Sequence, residues 1–509
     1  MNSAADNHPV LVGVGVSSRR EDDWRKALEP LDLMLEAVCA AGLDATGVDF
    51  ADPLGQAMPQ ASISAAAASA LRAVQWIAVP KGRWSYSNPG GEIARSIGAD
   101  HAHTVLSSVG VLQQTLVGEA CARIQRGEIE SALVAGADAG FRLLRAQIGG
   151  ESATERVCDG EPDEFWQPAE ELRHPAEKRA GLRMPVGLYA LIDSAWRAYS
   201  GAMLDEHRDS LAEMVSGFSR IATDNPDAWQ RRVVAAADIR EASDRNPMQA
   251  FPYTRLHCSS WNVDQGAALL FCSVWRAREL GIPENRWVYP LVSSESNHMV
   301  PVTARAELHR CIGAEIAGRA ALQATGLSVA DLDLIELYSC FPIAVRLYAD
   351  ALGIGRDRAM TTTGGMHFAG GPYNNYQLQS IARTARLLRQ GKGRTAMVTG
   401  VSGIVTKQGF GIWSVSASKA GFTSLDLTDR VAHESKVMPV VDSWDGAAKV
   451  VATTVLHSRG ESRKGVVLLD TPGGQRVLAT TTQPGITHHL EQNDLVGQSL
   501  SVRGTEVVL

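Results

Sequence analysis

The sequence predicts an α/β protein made of two related halves, followed by a separate antiparallel β domain. Three observations carry this prediction. Residues 124–138 read IQRGEIESALVAGAD and residues 388–402 read LRQGKGRTAMVTGVS, so Gly127, Ala132, Val134 and Gly136 align with Gly391, Ala396, Val398 and Gly400 at one constant offset. Each block follows a helix-like segment, at 111–126 and 375–390, and each runs through an apolar β-type stretch that ends in glycine. Identities in register with matching flanks point to a duplicated α/β unit. After Trp413 the texture changes to short alternating or β-branched runs separated by turn signals, which is the pattern of a small antiparallel sheet or barrel.

The elements follow in order. Residues 10–16 form a short apolar strand, and 31–41 an amphipathic helix that Gly42 is placed to cap. The Ala-rich stretch 61–79, interrupted by Ser and Arg72, reads as a buried helix. The two duplicated helices are expected to begin near Gly110 and near Tyr373 and Asn374. Unpaired N–H groups at two such termini facing one crevice would favour an anion or an oxyanion. Residues 141–250 are richer in charge and carry Trp166, Trp196 and Trp229, so they are expected to form a mainly helical excursion that covers a site. A strand at 267–273 resumes the first half. In the second half, 311–325 is a small-residue helix closed by Gly326, with Ser328 starting a further turn. A strand at 334–337 enters the corner Tyr338-Ser339-Cys340-Phe341. The terminal strands are expected at 438–441, 448–456, 464–470, 475–482 and 500–509, with turns at 443–446 and 471–474 and no helix. The expected division is 1–280, including the excursion, then 281–418, then a β domain at 419–509.

Composition excludes several classes. In 509 residues there are 49 Lys+Arg against 56 Asp+Glu, a net charge of −7, which supplies no basic field for nucleic acid. The seven cysteines (39, 121, 158, 258, 272, 311, 340) are scattered, with no CxxC pair. This argues against a disulfide scaffold and a zinc site, and predicts a reducing cytoplasm. No apolar stretch approaches the roughly 20 residues that span a bilayer, and the N-terminus lacks the pattern of a signal peptide. The pairs Gly364–Gly365 and Gly370–Gly371 lack the Lys-Ser/Thr of a phosphate-binding P-loop.

The order of segments resembles the thiolase superfamily, most nearly sterol-carrier-protein-type thiolases and thiolase-like proteins. The resemblance covers roughly residues 8–416 and rests on PVLVGVGVSS, GEIESALVAGADA, NVDQGAALLFCS, ELYSCF and GGMHFAGGPYNN followed by VTGVSG. It implies two βαβαβ-type halves in a layered α/β/α/β/α core. It also implies CoA or an acyl-CoA thioester as ligand, with no tightly bound cofactor and no metal. The C-terminal β domain lies outside the resemblance and is a possible docking place for a protein partner.

Thiolases need a Cys nucleophile, a second Cys that moves protons, and a His and an Asn or second His that hold the oxyanions. Carried onto this chain, the nucleophile's place falls at or beside Gly110, and the second Cys at Val401. The His of Gly-His-Pro falls at Gly371 and the corner Asn or His at Tyr338. Ordinary thiolase activity is therefore expected to be absent. The residues expected to touch ligand are Ser108, Gly110, Ser259, Ser260, Trp261, Gly370 and Gly371; Ser107 and Ser108 read first as helix caps. Tyr338, His367 and Cys340 are the remaining catalytic candidates, and Tyr373 lies beside the second helix start. Packed-residue readings compete with each: Tyr338 as a buried aromatic, His367 as a surface loop residue, Cys340 and Cys258 as inert buried thiols. Three functions fit: a CoA or acyl-CoA binder, a Tyr-assisted retro-aldol lyase on steroid or lipid acyl-CoA, and an interaction scaffold using the β domain.

Overall fold

The computed structural model describes residues 6–48, 64–458 and 463–508. The first sheet has six strands in the order Pro9–Ser18, Asp264–Ser273, Ser131–Ala139, Trp76–Pro80, His103–Ser107 and Glu164–Trp166. The second has five, in the order Leu334–Glu336, Thr395–Ser402, Lys407–Ser414, Tyr289–Ser296 and Thr423–Asp426. The echo in sequence is an echo in topology. Ser131–Ala139 runs antiparallel to Asp264–Ser273 in one sheet, as Thr395–Ser402 does to Lys407–Ser414 in the other. Ala132, Val134, Ala396 and Val398 are all fully buried, and Gly127 and Gly391 both follow a helix end in the left-handed conformation, at φ 72° and 73°.

The duplicated helices, Gln113–Gln125 and Tyr376–Arg389, form the central layer and touch strands of both sheets. Their starts are joined by side-chain amides. Gln113 accepts from the Gln377 N–H at 2.8 Å, and Gln377 Nε2 donates to Gln114 Oε1 at 2.6 Å. The outer layers are Pro30–Ala45 on the first sheet and Ile312–Thr325 on the second. The helix Pro30–Ala45 can approach so closely because the strand beneath carries glycine. A Cβ at Gly15 would lie 1.8 Å from Ala37 O, and one at Gly13 2.1 Å from Ala41 O. Strands Pro9–Ser18 and Asp264–Ser273, covered on both faces, are buried at every residue.

The C-terminal region holds a closed five-stranded barrel. Trp444–Leu456, Lys464–Asp470, Arg476–Thr481, Glu506–Val508 and Ser499–Gly504 pair in that cyclic order, antiparallel except between Arg476–Thr481 and Glu506–Val508. A hairpin of the excursion, Met248–Ala250 with Tyr253–Thr254, adds to the barrel at Leu456.

Several expectations need correction. Gly42 does not cap its helix. It lies inside Pro30–Ala45, where Leu71 packs so closely that a Cβ would meet its Cδ1 at 2.8 Å. The stretch 61–79 is a helix, Ala65–Arg72, followed by the strand Trp76–Pro80; burial on both faces removes the alternation that would mark a strand, and 61–63 lie outside the described residues. The turn expected at 443–446 is instead the start of the 13-residue strand Trp444–Leu456. The C-terminal segment does contain helices: Thr428–Glu434 and Pro484–Gln492. The second seals the barrel with Ile486 and Leu490, a single i,i+4 pair too sparse to reveal a period. Thr423–Asp426 belongs to the second sheet, beside Tyr289–Ser296, so the barrel begins later than 419.

Candidate functional site

The corner Tyr338–Phe341 leaves the strand Leu334–Glu336 and enters the helix Pro342–Leu352, whose first residue is a proline pre-set for helical φ. Three separate segments are laced together here. The Ser259 N–H donates to Cys340 O at 3.1 Å, the Ser260 N–H to Met366 O at 2.9 Å, and the Gly371 N–H to Ser260 O at 2.9 Å. Ser339 Oγ accepts from the Met366 N–H at 3.0 Å. The fold thus brings Ser259, Ser260, Cys340 and Gly371 together. The packing at the glycines is tight: a Cβ at Gly371 would lie 2.1 Å from Ser259 Oγ, and one at Gly370, at φ 104°, would lie 2.1 Å from Gln265 Oε1.

Tyr338 is held by its backbone N–H, which donates to Thr399 Oγ1 at 2.8 Å, and its ring meets Tyr376 edge-on at 5.6 Å. Its hydroxyl has no hydrogen-bond partner among the described residues, although the residue is only 8% exposed. Burial pushes the phenol well above its usual range, with Cys340 nearby adding to the effect, so it stays protonated at any ordinary pH. Tyr376 is committed elsewhere. Its hydroxyl donates to the buried Glu336 at 2.7 Å, a carboxylate that also collects N–H and O–H donors from Thr361, Thr362 and Thr363. Burial pushes the thiols of Cys340 and Cys258 up to about 12, which makes both poor nucleophiles.

His367 is not a surface loop residue. It sits in the short helix Gly365–Phe368, is buried, and donates from Nε2 to His257 O at 3.0 Å. Its Nδ1 has no partner among the described residues, and burial pushes the imidazole down to about 4, so it is neutral. The sequence could not reveal this, because the helix is a single turn with no periodicity to read.

Ser108 and Gly110 form a second group. The Ser108 N–H donates to Trp166 O at 2.8 Å. Gly110 adopts φ 106°, and a Cβ there would meet Pro168 Cγ at 2.8 Å. The helix begins only at Gln113, with Leu112 at the cap position and no side-chain cap, so Ser107 and Ser108 do not cap it. Ser107 Oγ is buried without a partner among the described residues. Sequence inspection missed the side chain that attends this group: Lys407 Nζ donates to Gly110 O at 3.3 Å. A lysine read in isolation signals solvent, and nothing in the string KQG marks this one as buried.

Trp261 faces outward and is 42% exposed. The Arg83 guanidinium lies over its ring at 4.9 Å and over that of Tyr373 at 5.6 Å, while bonding Trp261 O at 2.8 Å and pairing with the buried Asp138. The result is an accessible platform of two aromatic rings and a cation. A groove of about 2080 Å³ lies elsewhere, between the excursion and the barrel, lined by Met184, Met203, Phe251 and Lys464; none of the expected site residues lines it. Among the described residues, no group of three or more His, Cys, Asp or Glu side chains is placed to hold a metal ion. None of their helices is long and apolar enough to cross a membrane.

Comparison with known proteins places this geometry. The chain is similar in structure to a monomeric SCP2-thiolase-like protein type 1 from Mycobacterium smegmatis, at 26% identity and TM-score 0.80, over 99% of both chains. It is also similar to an Ltp2–ChsH2(DUF35) aldolase, at 17% identity and TM-score 0.59, over 82% of this chain and 100% of that one. The dimeric peroxisomal thiolase of Saccharomyces cerevisiae matches at 16% identity and TM-score 0.53, over 81% and 98%. The chain therefore has the fold of the thiolase superfamily, in its SCP2-thiolase-like form. No protein-family model matches the sequence, and no curated protein matches it either.

Proposed function

We propose that this thiolase-like protein binds CoA or an acyl-CoA thioester and does not perform thiolase condensation or thiolysis. One observation carries the reading. At or beside Gly110 and at Gly371, where the resemblance places the nucleophilic Cys and an oxyanion-holding His, the chain carries neither a thiol nor an imidazole, and a Cβ at the two glycines would lie 2.8 Å from Pro168 Cγ and 2.1 Å from Ser259 Oγ. Val401 offers no proton-moving group, and Tyr338 stands at the corner. Acyl transfer needs a thiolate, and the two nearby thiols, Cys258 and Cys340, are held protonated by burial.

In this reading the chain's own groups bind rather than react. The exposed Trp261 ring with Arg83 receives the nucleotide end, Ser259 and Ser260 line the path of the pantetheine arm, and the Tyr338 hydroxyl donates to the thioester oxygen. No tightly bound cofactor or metal is required. The two halves divide near residue 280, and the barrel that follows offers a surface for a protein partner. Calorimetric titration with CoA and acetyl-CoA tests the proposal: saturable binding supports it, and no binding by either sinks it.

A second reading is favoured by the unpartnered Tyr338 hydroxyl. A phenol held protonated is suited to deliver a proton. In a retro-aldol cleavage the β-hydroxyl of a β-hydroxyacyl-CoA gives its proton to water as the Cα–Cβ bond breaks, leaving an aldehyde or ketone and the enolate of the shortened acyl-CoA. The enolate then takes a proton from Tyr338, and water later restores the proton that Tyr338 gives up. Turnover of such a thioester that disappears in Tyr338→Phe would favour the lyase over the binder.

A further inference from the structure

Lys407 begins the strand Lys407–Ser414, directly after a tight turn. Three consecutive residues of that turn, Gly403, Ile404 and Val405, have positive φ of 60°, 57° and 57°. The lysine side chain is 3% exposed. An ammonium has three N–H donors, and here one is used, on Gly110 O at 3.3 Å. The nearest carboxylate oxygen, Glu170 Oε2, is 4.0 Å away, beyond hydrogen-bond reach, on a side chain that is 54% exposed. Glu295, across the sheet on Tyr289–Ser296, is committed to others. It accepts from Thr115 Oγ1 at 2.7 Å and from Asn297 Nδ2 at 3.1 Å. Three residues further along the chain, His298 Nε2 is buried with no partner among the described residues.

A buried cation whose nearest carboxylate stands off at 4.0 Å is only partly compensated. Proteins normally pair such a group directly or discharge it. This one bonds the carbonyl of Gly110, and the resemblance places the thiolase nucleophile, and with it the acyl group, at or beside that residue. A neutral thioester carbonyl would supply a dipole but no compensating charge. A carboxylate would supply both the charge and acceptors for the two remaining donors. We propose that Lys407 is a specificity-determining residue, and that the acyl groups this protein takes carry a carboxylate of their own, as carboxyacyl-CoA thioesters do. The inference rests on the acyl-CoA reading above and names the substrate class within it.

The test uses the full chain and a pair of thioesters of equal chain length, butyryl-CoA and succinyl-CoA, with CoA as reference. Wild type should bind succinyl-CoA about tenfold more tightly than butyryl-CoA, a gap of about 1.4 kcal/mol. Lys407→Met should bind the two thioesters with equal affinity, and Lys407→Arg should keep part of the gap. Equal affinity of wild type for the two thioesters overturns the inference while leaving acyl-CoA binding intact, and this comparison needs no variant to fold. A gap that survives in folded Lys407→Met also overturns it. No binding of any of the three overturns the acyl-CoA reading, and the inference with it.

Discussion

At the residue scale, the glycines of the site are predicted to be intolerant for a specific reason. Gly371→Ala sets a methyl against Ser259 Oγ and Met366 and should cost about 1–3 kcal/mol in a denaturant titration. Ser259→Gly in the same chain should recover a large part of that loss. Glu295 gives a pH prediction. Burial, more than its neighbours Asp426 and Glu119, pushes it up to about 7 against the pull of Thr115 and Asn297, with Lys407 also facing it. Its folded pKa is raised, so its contribution to stability is complete below the ordinary carboxylate range and is lost as pH rises through about 7. Glu295→Gln should therefore gain on the order of 1 kcal/mol relative to wild type at pH 8 but not at pH 4, read from melting curves at both. Gly110, Gly371 and Val401 can be read directly in the sequence, and it is the resemblance that implies functional groups in their places. Lys407 and the buried state of His367 were not, since both depend on which strands and loops from distant parts of the chain close over them.

At the element scale, the duplication was legible because each copy keeps the small residues that let a helix lie between two sheets. The helix Pro30–Ala45 rests on Gly13 and Gly15 in the same way, and Gly15→Val should unseat it, costing more than about 3 kcal/mol. The strand Trp76–Pro80 and the sealing helix Pro484–Gln492 were not legible. One is buried on both faces, and the other shows only Ile486 and Leu490 to its core. The short strand Glu164–Trp166 matters beyond its three residues. It pairs with Val105–Ser107 and covers the edge of the first sheet, and Trp166 O then receives the Ser108 N–H of the site. The edge of the sheet thereby becomes a strand of only three residues, too short to template a second copy. Light scattering should accordingly find a monomer at micromolar concentration, and a dimer built on that edge would show this strand to be displaced.

At the scale of the whole molecule, the barrel is tied to the site by two arginines. Arg476, buried on the barrel strand Arg476–Thr481, pairs with Asp470 at 2.7 Å and donates to Arg305 O. The half-buried Arg305 side chain in turn donates to Val300 O at 2.9 Å and to Gly403 O at 3.1 Å, bracing the turn of positive φ that precedes Lys407. Non-glycine residues in that conformation are strained and persist only where surroundings hold them. Arg476→Met should therefore raise amide exchange at 403–406 as well as in the barrel, while the strands Pro9–Ser18 and Asp264–Ser273 stay protected. The β texture of this domain was legible from composition, but its coupling to the site was not, because it runs through single side chains far apart in sequence.

The most direct test of a thioester site without condensation chemistry is one calorimetric titration of acetoacetyl-CoA into the protein in the presence of CoA. Binding without thiolysis predicts a saturable isotherm whose heat returns to baseline after each injection. A sustained heat flow that scales with enzyme, as acetoacetyl-CoA is split by CoA, would contradict it.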